Sequence, residues 1–400
     1  MGICLSYLLP SPRKARINTE NEMAGLLPDV DPDGLLEYSV VYTDRALNHM
    51  SKSFQGVMRD VSSTLKEVYN AHSTVIVPGS GTFGMEAVAR QFAKERRCLV
   101  IRNGWFSYRW SQILEMGQIP AEVNVLKARR LDEDDPTSPF APPPIEDVIE
   151  SIHDQQPDIV FAPHVETASG MLLPDDYLRQ IADAIHEQGG LFVLDCIASG
   201  TLWVDMQDIG VDVLVSAPQK GWSASPCCGM VMLSRQAREI IEETTSTSFA
   251  CDLKKWLTIM ETYEGGGHAY HATLPTDGLR QLRDVMRETQ QYGFDKVRDE
   301  QWEVGRRVRG MLAEHGFRSV AAPGFEAPGV VVCYTADEGI VGKFLAAGVQ
   351  VAAGVPLMCD EGNDYRAFRI GLFGLDKLHH PERTLESLEA ALAKVQGADD

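Results

Sequence analysis

The chain has 400 residues, 44% of them hydrophobic and 24% charged, with a net charge of −20. That length suffices for a large core and suggests two or three domains. The acidic balance excludes a nucleic-acid binder, whose phosphate contacts need clustered Lys and Arg. No apolar run approaches the ~20 residues of a membrane span. The eight cysteines form no C-x-x-C pair and several sit in apolar runs, which leads us to expect reduced thiols in a cytoplasmic protein.

Residues 1–35 read as an N-terminal arm, Pro-rich and weakly patterned. The start, Met1 to Ser6, formally fits the N-myristoylation pattern, which is loose enough to arise by coincidence. From residue 55 helical spacing alternates with short apolar strands. Val57, Met58, Val61, Leu65 and Val68 share one side of a helix over 55–71. Strands follow at 74–77, 98–101, 159–162, 191–194, 211–216 and 230–233, with helices expected near 84–94, 106–116 and 176–187. Residues 131–146 read as an Asp/Pro-rich surface connection. Such alternation predicts an α/β layer structure on a largely parallel sheet, in a large domain spanning 36–290. After a helix over 276–293 the pattern changes to helices near 297–315, 339–347 and 381–395, with strands near Val320 and over 330–334. That implies a smaller α+β unit over 291–400.

Chemistry-bearing residues gather where these strands end. Gly79, Ser80, Gly81 and Thr82 form a small-residue turn between a strand and a helix, an anion site by construction because helix N-termini offer free N–H groups. The next strand runs into Asn103-Gly104-Trp105-Phe106-Ser107-Tyr108-Arg109-Trp110, rich enough in aromatics to stack on a flat ring. A third ends at His164-Val165-Glu166-Thr167-Ala168-Ser169-Gly170. A fourth ends on Asp195. A fifth delivers Gln219 and Lys220 behind Ser216-Ala217-Pro218. Carboxyl ends of strands are where open α/β sheets bind ligands. A buried lysine needs a partner or a lowered pKa, and a Schiff base with an aldehyde cofactor is one solution. Farther on, Arg369 stands among apolar residues, where its planar fork suits a carboxylate.

Taken in order, Gly-Ser-Gly-Thr, His-Val-Glu-Thr-Ala-Ser-Gly, Asp195-Cys-Ile-Ala-Ser, Ser-Ala-Pro-Gln-Lys220 and Phe-Arg369-Ile-Gly resemble the class V pyridoxal-phosphate aminotransferases, nearest to the alanine–glyoxylate and serine–pyruvate branch. The resemblance spans roughly residues 45–395. It implies the type I fold: a large domain with a mixed, mostly parallel seven-stranded sheet, and a smaller C-terminal domain. It further implies that Lys220 binds the aldehyde, that Asp195 pairs with the pyridine nitrogen, and that Phe106 stacks on the ring. Thr167 would reach the phenolic oxygen, Ser80, Gly81, Thr82 and Gln219 would hold the phosphate, and Arg369 would bind the substrate α-carboxylate. Tyr270 and Thr273 would complete the site of a second subunit, making the enzyme a homodimer. Its substrates would be a small amino acid and a small 2-oxo acid such as glyoxylate or pyruvate, with no metal.

One stretch departs from the family. Leu36 to Arg45 replaces a Gly/Pro-type segment that lines the substrate pocket, and Tyr38, Tyr42 or Arg45 would reshape it. Two other readings compete. A cysteine desulfurase or other lyase on the same scaffold would need a mobile nucleophilic cysteine, for which Cys359 is the candidate. A non-catalytic cofactor-binding protein is the third.

Overall fold

The computed structural model describes residues 35–397. The Met1–Ser6 motif and all but the last residue of the expected arm lie outside them. Seven strands form the main sheet: β1 (Ser73–Pro78), β2 (Arg97–Arg102), β3 (Glu122–Lys127), β4 (Ile159–Pro163), β5 (Leu191–Asp195), β6 (Val213–Ser216) and β7 (Cys228–Leu233). Their spatial order is β1-β7-β6-β5-β4-β2-β3. Only β7 runs against the rest, pairing antiparallel with both β1 and β6. Every residue of β4, β5, β6 and β7 is buried, so the centre of the sheet is covered on both faces. That is why those strands read as unbroken apolar runs instead of alternating ones.

Helices flank the sheet. Helix α1 (Lys52–Tyr69) is capped by Ser51, whose hydroxyl accepts from the Phe54 amide, and it stops at Asn70 in the left-handed region. Next come α2 (Gly81–Phe92), α3 (Trp105–Met116), α4 (Ile145–Gln155), α5 (Asp175–His186), α6 (Leu253–Glu264) and α7 (Thr276–Tyr292). The connection expected over 131–146 carries the short strand Phe140–Ala141, which pairs with Arg129–Arg130, and it ends in the start of α4.

Gly293, at φ +108, separates α7 from α8 (Phe294–Glu314). A second sheet of three antiparallel strands follows, β8 (Val330–Tyr334), β9 (Ala352–Ala353) and β10 (Ala367–Gly371), in the order β8-β10-β9. It packs with α8, α9 (Ile340–Ala346) and α10 (Pro381–Gly397) around Val308, Phe344, Phe368 and Leu392. Near Val320 the chain makes isolated bridges, Phe140 with Ala321 and Ser319 with Cys333, in place of a full strand. Between the two sheets lies a further apolar cluster of Val165, Ala168, Ala198, Val330, Val332 and Leu357, against which Phe106 and Phe373 pack.

Candidate active site

The anion-binding turn forms because two glycines let helix and sheet touch. β1 ends at Pro78, Gly79 turns at φ +123, and α2 starts directly at Gly81, three residues before the expected position. A Cβ on Gly229 of β7 would lie 2.8 Å from the Gly84 Cα, so α2 rests on the strand with no side chain between. A Cβ on Gly81 would meet the Ile197 Cδ1 at 2.6 Å. The helix N-terminus is thereby pressed against the loop that follows β5. The Gly81 and Thr82 amides belong to the first turn, where no helical carbonyl accepts them, and the helix dipole is positive there. Ser80, the N-cap, makes no side-chain capping bond, which frees its hydroxyl.

α3 is positioned by Glu166. This fully buried carboxylate accepts from the Phe106 amide at 3.2 Å, the Ser107 amide at 2.8 Å, the Ser107 hydroxyl at 2.7 Å and the Ala168 amide at 2.9 Å. Burial raises its pKa, and the four donors oppose that rise. Phe106 is thus held at the helix start, and a Cβ on Gly104 would collide with Glu166 at 2.7 Å. Arg109, one turn on, donates to the Thr82 hydroxyl at 3.0 Å and lies 5.3 Å from the Phe106 ring centre. The sequence offered no local sign of either role for Glu166 or Arg109, since both depend on contacts between separate strand ends.

Asp195 and Lys220 sit at the ends of neighbouring parallel strands, with Val215 in register with Asp195. The loops beyond them are locked together: a Cβ on Gly221 would fall 1.8 Å from the Gly200 carbonyl oxygen. Burial pushes the Asp195 carboxyl up to about 7. A hydrogen bond from the Ile197 amide at 2.9 Å and the Arg109 charge oppose that shift, while Glu166 adds to it. Burial also holds the Lys220 amine below its usual value, helped by the nearby Arg369 charge. Its Nζ stands 5.1 Å from the Phe373 ring centre.

These elements enclose a cavity of about 240 Å³. Ser80, Gly81, Thr82, Phe106, Thr167, Asp195, Gln219 and Lys220 all line it, as does Arg109. A larger hollow of about 680 Å³ around Lys127, Asp337 and Arg366 has none of this chemistry. Arg369 is on β10, its Nε donating to the Ala353 carbonyl at 2.9 Å and its guanidinium 5.8 Å from the Phe106 ring centre. Tyr270 and Thr273 do not join the set. Their hydroxyls lie 3.2 Å apart, both residues are exposed, and neither lines the cavity of its own chain. Nor do Tyr38, Tyr42 or Arg45; Tyr42 donates to the Leu274 carbonyl and stacks beside His49. His164 is likewise outside the cavity lining, bonded to Ser199, with burial lowering its pKa to about 4.

Cys359 is buried, its Sγ 3.3 Å from the Arg102 carbonyl, and burial pushes the thiol up to about 12. It has neither the exposure nor the thiolate character of a nucleophile. All seven described cysteines are free thiols. No His/Cys/Asp/Glu group among the described residues has the make-up of a metal site, and no helix among them is long and apolar enough to cross a membrane.

The donor set suits a flat, phosphorylated aldehyde. The cavity lining holds the first-turn amides and uncapped Ser80 hydroxyl of α2, the Phe106 ring, a buried carboxyl and an amine of lowered pKa. Gln219 Oε1 is buried without a hydrogen-bond partner, an acceptor with no donor of the protein on it; it is the amide nitrogen of that side chain that could donate to a phosphate.

Comparison with known proteins agrees with this chemistry. The model of the family described as aminotransferase class-V matches residues 34–355. Alanine–glyoxylate aminotransferase 1 of Saccharomyces cerevisiae is 25% identical, over 82% of this chain and 86% of its own. The 2-aminoethylphosphonate–pyruvate transaminase 2 of Paraburkholderia xenovorans is 28% identical over 83% and 84%. Among solved structures, alanine–glyoxylate aminotransferase from Nostoc sp. has a TM-score of 0.73 at 20% identity, covering 87% of this chain and 88% of that one. Ureidoglycine–glyoxylate aminotransferase from Bacillus subtilis has a TM-score of 0.71 at 22%, covering 90% and 89%. These likenesses give the type I fold. Together with the family match they make the chain a member of the class V aminotransferases, an enzyme that works with pyridoxal phosphate.

Proposed function

We propose that this aminotransferase moves an amino group from a small, alanine- or serine-like amino acid to a small 2-oxo acid such as glyoxylate or pyruvate. The observation that carries the reading is one cavity into which Lys220, Asp195 and the Ser80–Thr82 turn converge, with Arg369 facing the same Phe106 ring. Relatives named for alanine, glyoxylate and pyruvate support the choice of substrates.

Pyridoxal phosphate, when bound, supplies an aldehyde and an electron-accepting ring. In our reading Ser80, Gly81, Thr82 and Gln219 bind its phosphate, Phe106 stacks on its ring, and Thr167 donates to its phenolic oxygen. Asp195 holds a proton at the pyridine nitrogen. The lowered pKa of Lys220 keeps more of its Nζ as free amine, able to bind the aldehyde and to carry a proton to and from the substrate α-carbon. Arg369 orients the α-carboxylate. Tyr270 and Thr273 serve the site of a second copy in a homodimer, which fits their exposure and their absence from the lining of their own cavity. We divide the chain into an arm (1–35), a cofactor domain (36–290) and a small C-terminal domain (291–400). The free thiols favour a cytoplasmic setting.

The test is a panel of donors (alanine, serine, 2-aminoethylphosphonate, cysteine), each offered with glyoxylate, pyruvate and 2-oxoglutarate. Alanine or serine with glyoxylate or pyruvate should give the highest kcat/KM. A preference for 2-aminoethylphosphonate, or sulfide release from cysteine, would overturn the substrate assignment. Lys220→Ala should lose both turnover and the visible absorbance of bound cofactor.

A further inference from the structure

We propose that Arg109 is the fixed positive charge of the cofactor's phosphate site and holds the Thr82 hydroxyl with its hydrogen free for the phosphate. This rests on reading the 240 Å³ cavity as the cofactor site.

Three observations point to it. First, among the described residues the only ionisable ones lining that cavity are Arg109, Asp195 and Lys220. A phosphate monoester carries about −1.5 to −2 at neutral pH. Asp195 can only add negative charge, and Lys220 has to be neutral to work as an amine. A guanidinium, by contrast, stays charged at any physiological pH. Arg109 is therefore the one lining residue able to balance the phosphate permanently.

Second, no direct ion pair takes up that charge among the described residues. Arg109 donates to Thr82 Oγ1 and lies over the Phe106 face, and among the described residues no carboxylate is within ion-pair distance of it. A half-buried arginine with two neutral direct contacts, and only the more distant Asp195 carboxyl acting on it, has charge left to offer.

Third, the hydrogen bond has a direction. Arginine has only donors, so Thr82 Oγ1 is the acceptor. The hydroxyl hydrogen is then free to turn to an acceptor within the cavity, whose lining also holds Ser80, Gly81 and Gln219. Thr82 lies in the first turn of α2, so Arg109 also joins the α3 helix to the anion-binding turn.

A purely structural clamp between α2 and α3 would involve the same contacts, so the test must separate the phosphate from the rest of the cofactor. Pyridoxal lacks only the phosphate. Binding of pyridoxal phosphate and of pyridoxal to the cofactor-free enzyme is titrated by visible absorbance in wild type, Arg109→Gln and Arg109→Lys. Arg109→Gln should raise the Kd for pyridoxal phosphate roughly ten- to a hundredfold, the range of one charge-assisted hydrogen bond, and that for pyridoxal by less than about threefold. Arg109→Lys, which retains a charge without the fork, should retain most of the preference for the phosphorylated form. Arg109→Met keeps the aliphatic stem, carries the same expectation as Arg109→Gln, and replaces it if the glutamine variant does not fold. Equal losses for the two ligands, no loss at all, or a lysine variant as poor as glutamine would overturn the proposal. Failure of the cavity reading would look different: Lys220→Ala would then develop the wild-type absorbance on adding pyridoxal phosphate.

Discussion

Asp195 keeps its proton up to about pH 7 in the cofactor-free protein, because burial penalises the carboxylate more than the Ile197 amide and Arg109 favour it. The ordinary value is 3.8, so folding raises the pKa. A raised folded-state pKa contributes stability that is complete below about pH 4 and is lost as pH climbs through about 7. A shift of about 3 units corresponds to up to about 4 kcal/mol. The stability of cofactor-free wild type relative to Asp195→Asn should therefore fall by an amount of that order between pH 4 and pH 8. Comparing the two proteins by denaturant unfolding removes the contribution of His164, whose lowered pKa acts with the opposite sign, and that of Glu166, whose burial acts with the same sign, apart from its repulsion with Asp195. A difference that stays flat with pH would mean the carboxyl is not held as described. Glu166 marks the limit of reading residues singly. Its segment was conspicuous for Thr167 and Ser169, yet the side chain that fixes Phe106 is the carboxylate, and only the meeting of two strand ends reveals that.

At the scale of elements, buried strands with continuous apolar runs were legible, whereas β3 was not. Its sequence, Glu-Val-Asn-Val-Leu-Lys, alternates on an edge and is mostly half-buried, so it lacks the apolar run that betrayed β4 to β6. β10 was hidden similarly: its residues drew notice for Arg369 and Phe368, while its pairing with β8 bridges more than thirty residues of intervening chain. The α2 start was read three residues late because Gly81 and Thr82 look like turn residues, though they form the first helical turn. Close approach of loops is equally invisible in sequence. Gly221→Ala would set a methyl 1.8 Å from the Gly200 carbonyl oxygen, backbone against backbone, so the loops after β5 and β6 must part. We expect it to lower stability by about 2 kcal/mol or more and to weaken cofactor binding. Gly310→Ala, on an exposed face of α8 with open space around it, should instead stabilise by up to about 1 kcal/mol. Thermal unfolding of the pair, with cofactor titration of the first, checks both signs.

For the whole molecule, the proposed homodimer makes a definite demand on a second chain. If Tyr270 and Thr273 act across a homodimer, a Lys220→Ala subunit can still complete the site of a Tyr270→Ala/Thr273→Ala subunit. Mixing the two impaired proteins through unfolding and refolding should restore about a quarter of wild-type activity, since about half of randomly paired dimers are hybrids and each hybrid has one complete site. Mixtures no more active than the sum of their parents would show that both residues serve their own chain.

The strand order has a consequence for synthesis on the ribosome. β1 is made early, but its only partner in the sheet is β7, with Pro78 opposite Cys228, a separation of 150 residues (228 − 78). Until the chain has reached residue 233, β1 and the turn that leads into α2 have no sheet to join, while β2, β3 and β4 can already pair with one another. Contacts so distant in sequence form slowly, and an unpaired strand edge is open to wrong partners meanwhile. The two halves of the active site, Ser80–Thr82 and Lys220, are thus united by the last strand of the large sheet to emerge. A nascent chain halted before β7 would hold every residue of the phosphate turn and still have no place to put a cofactor.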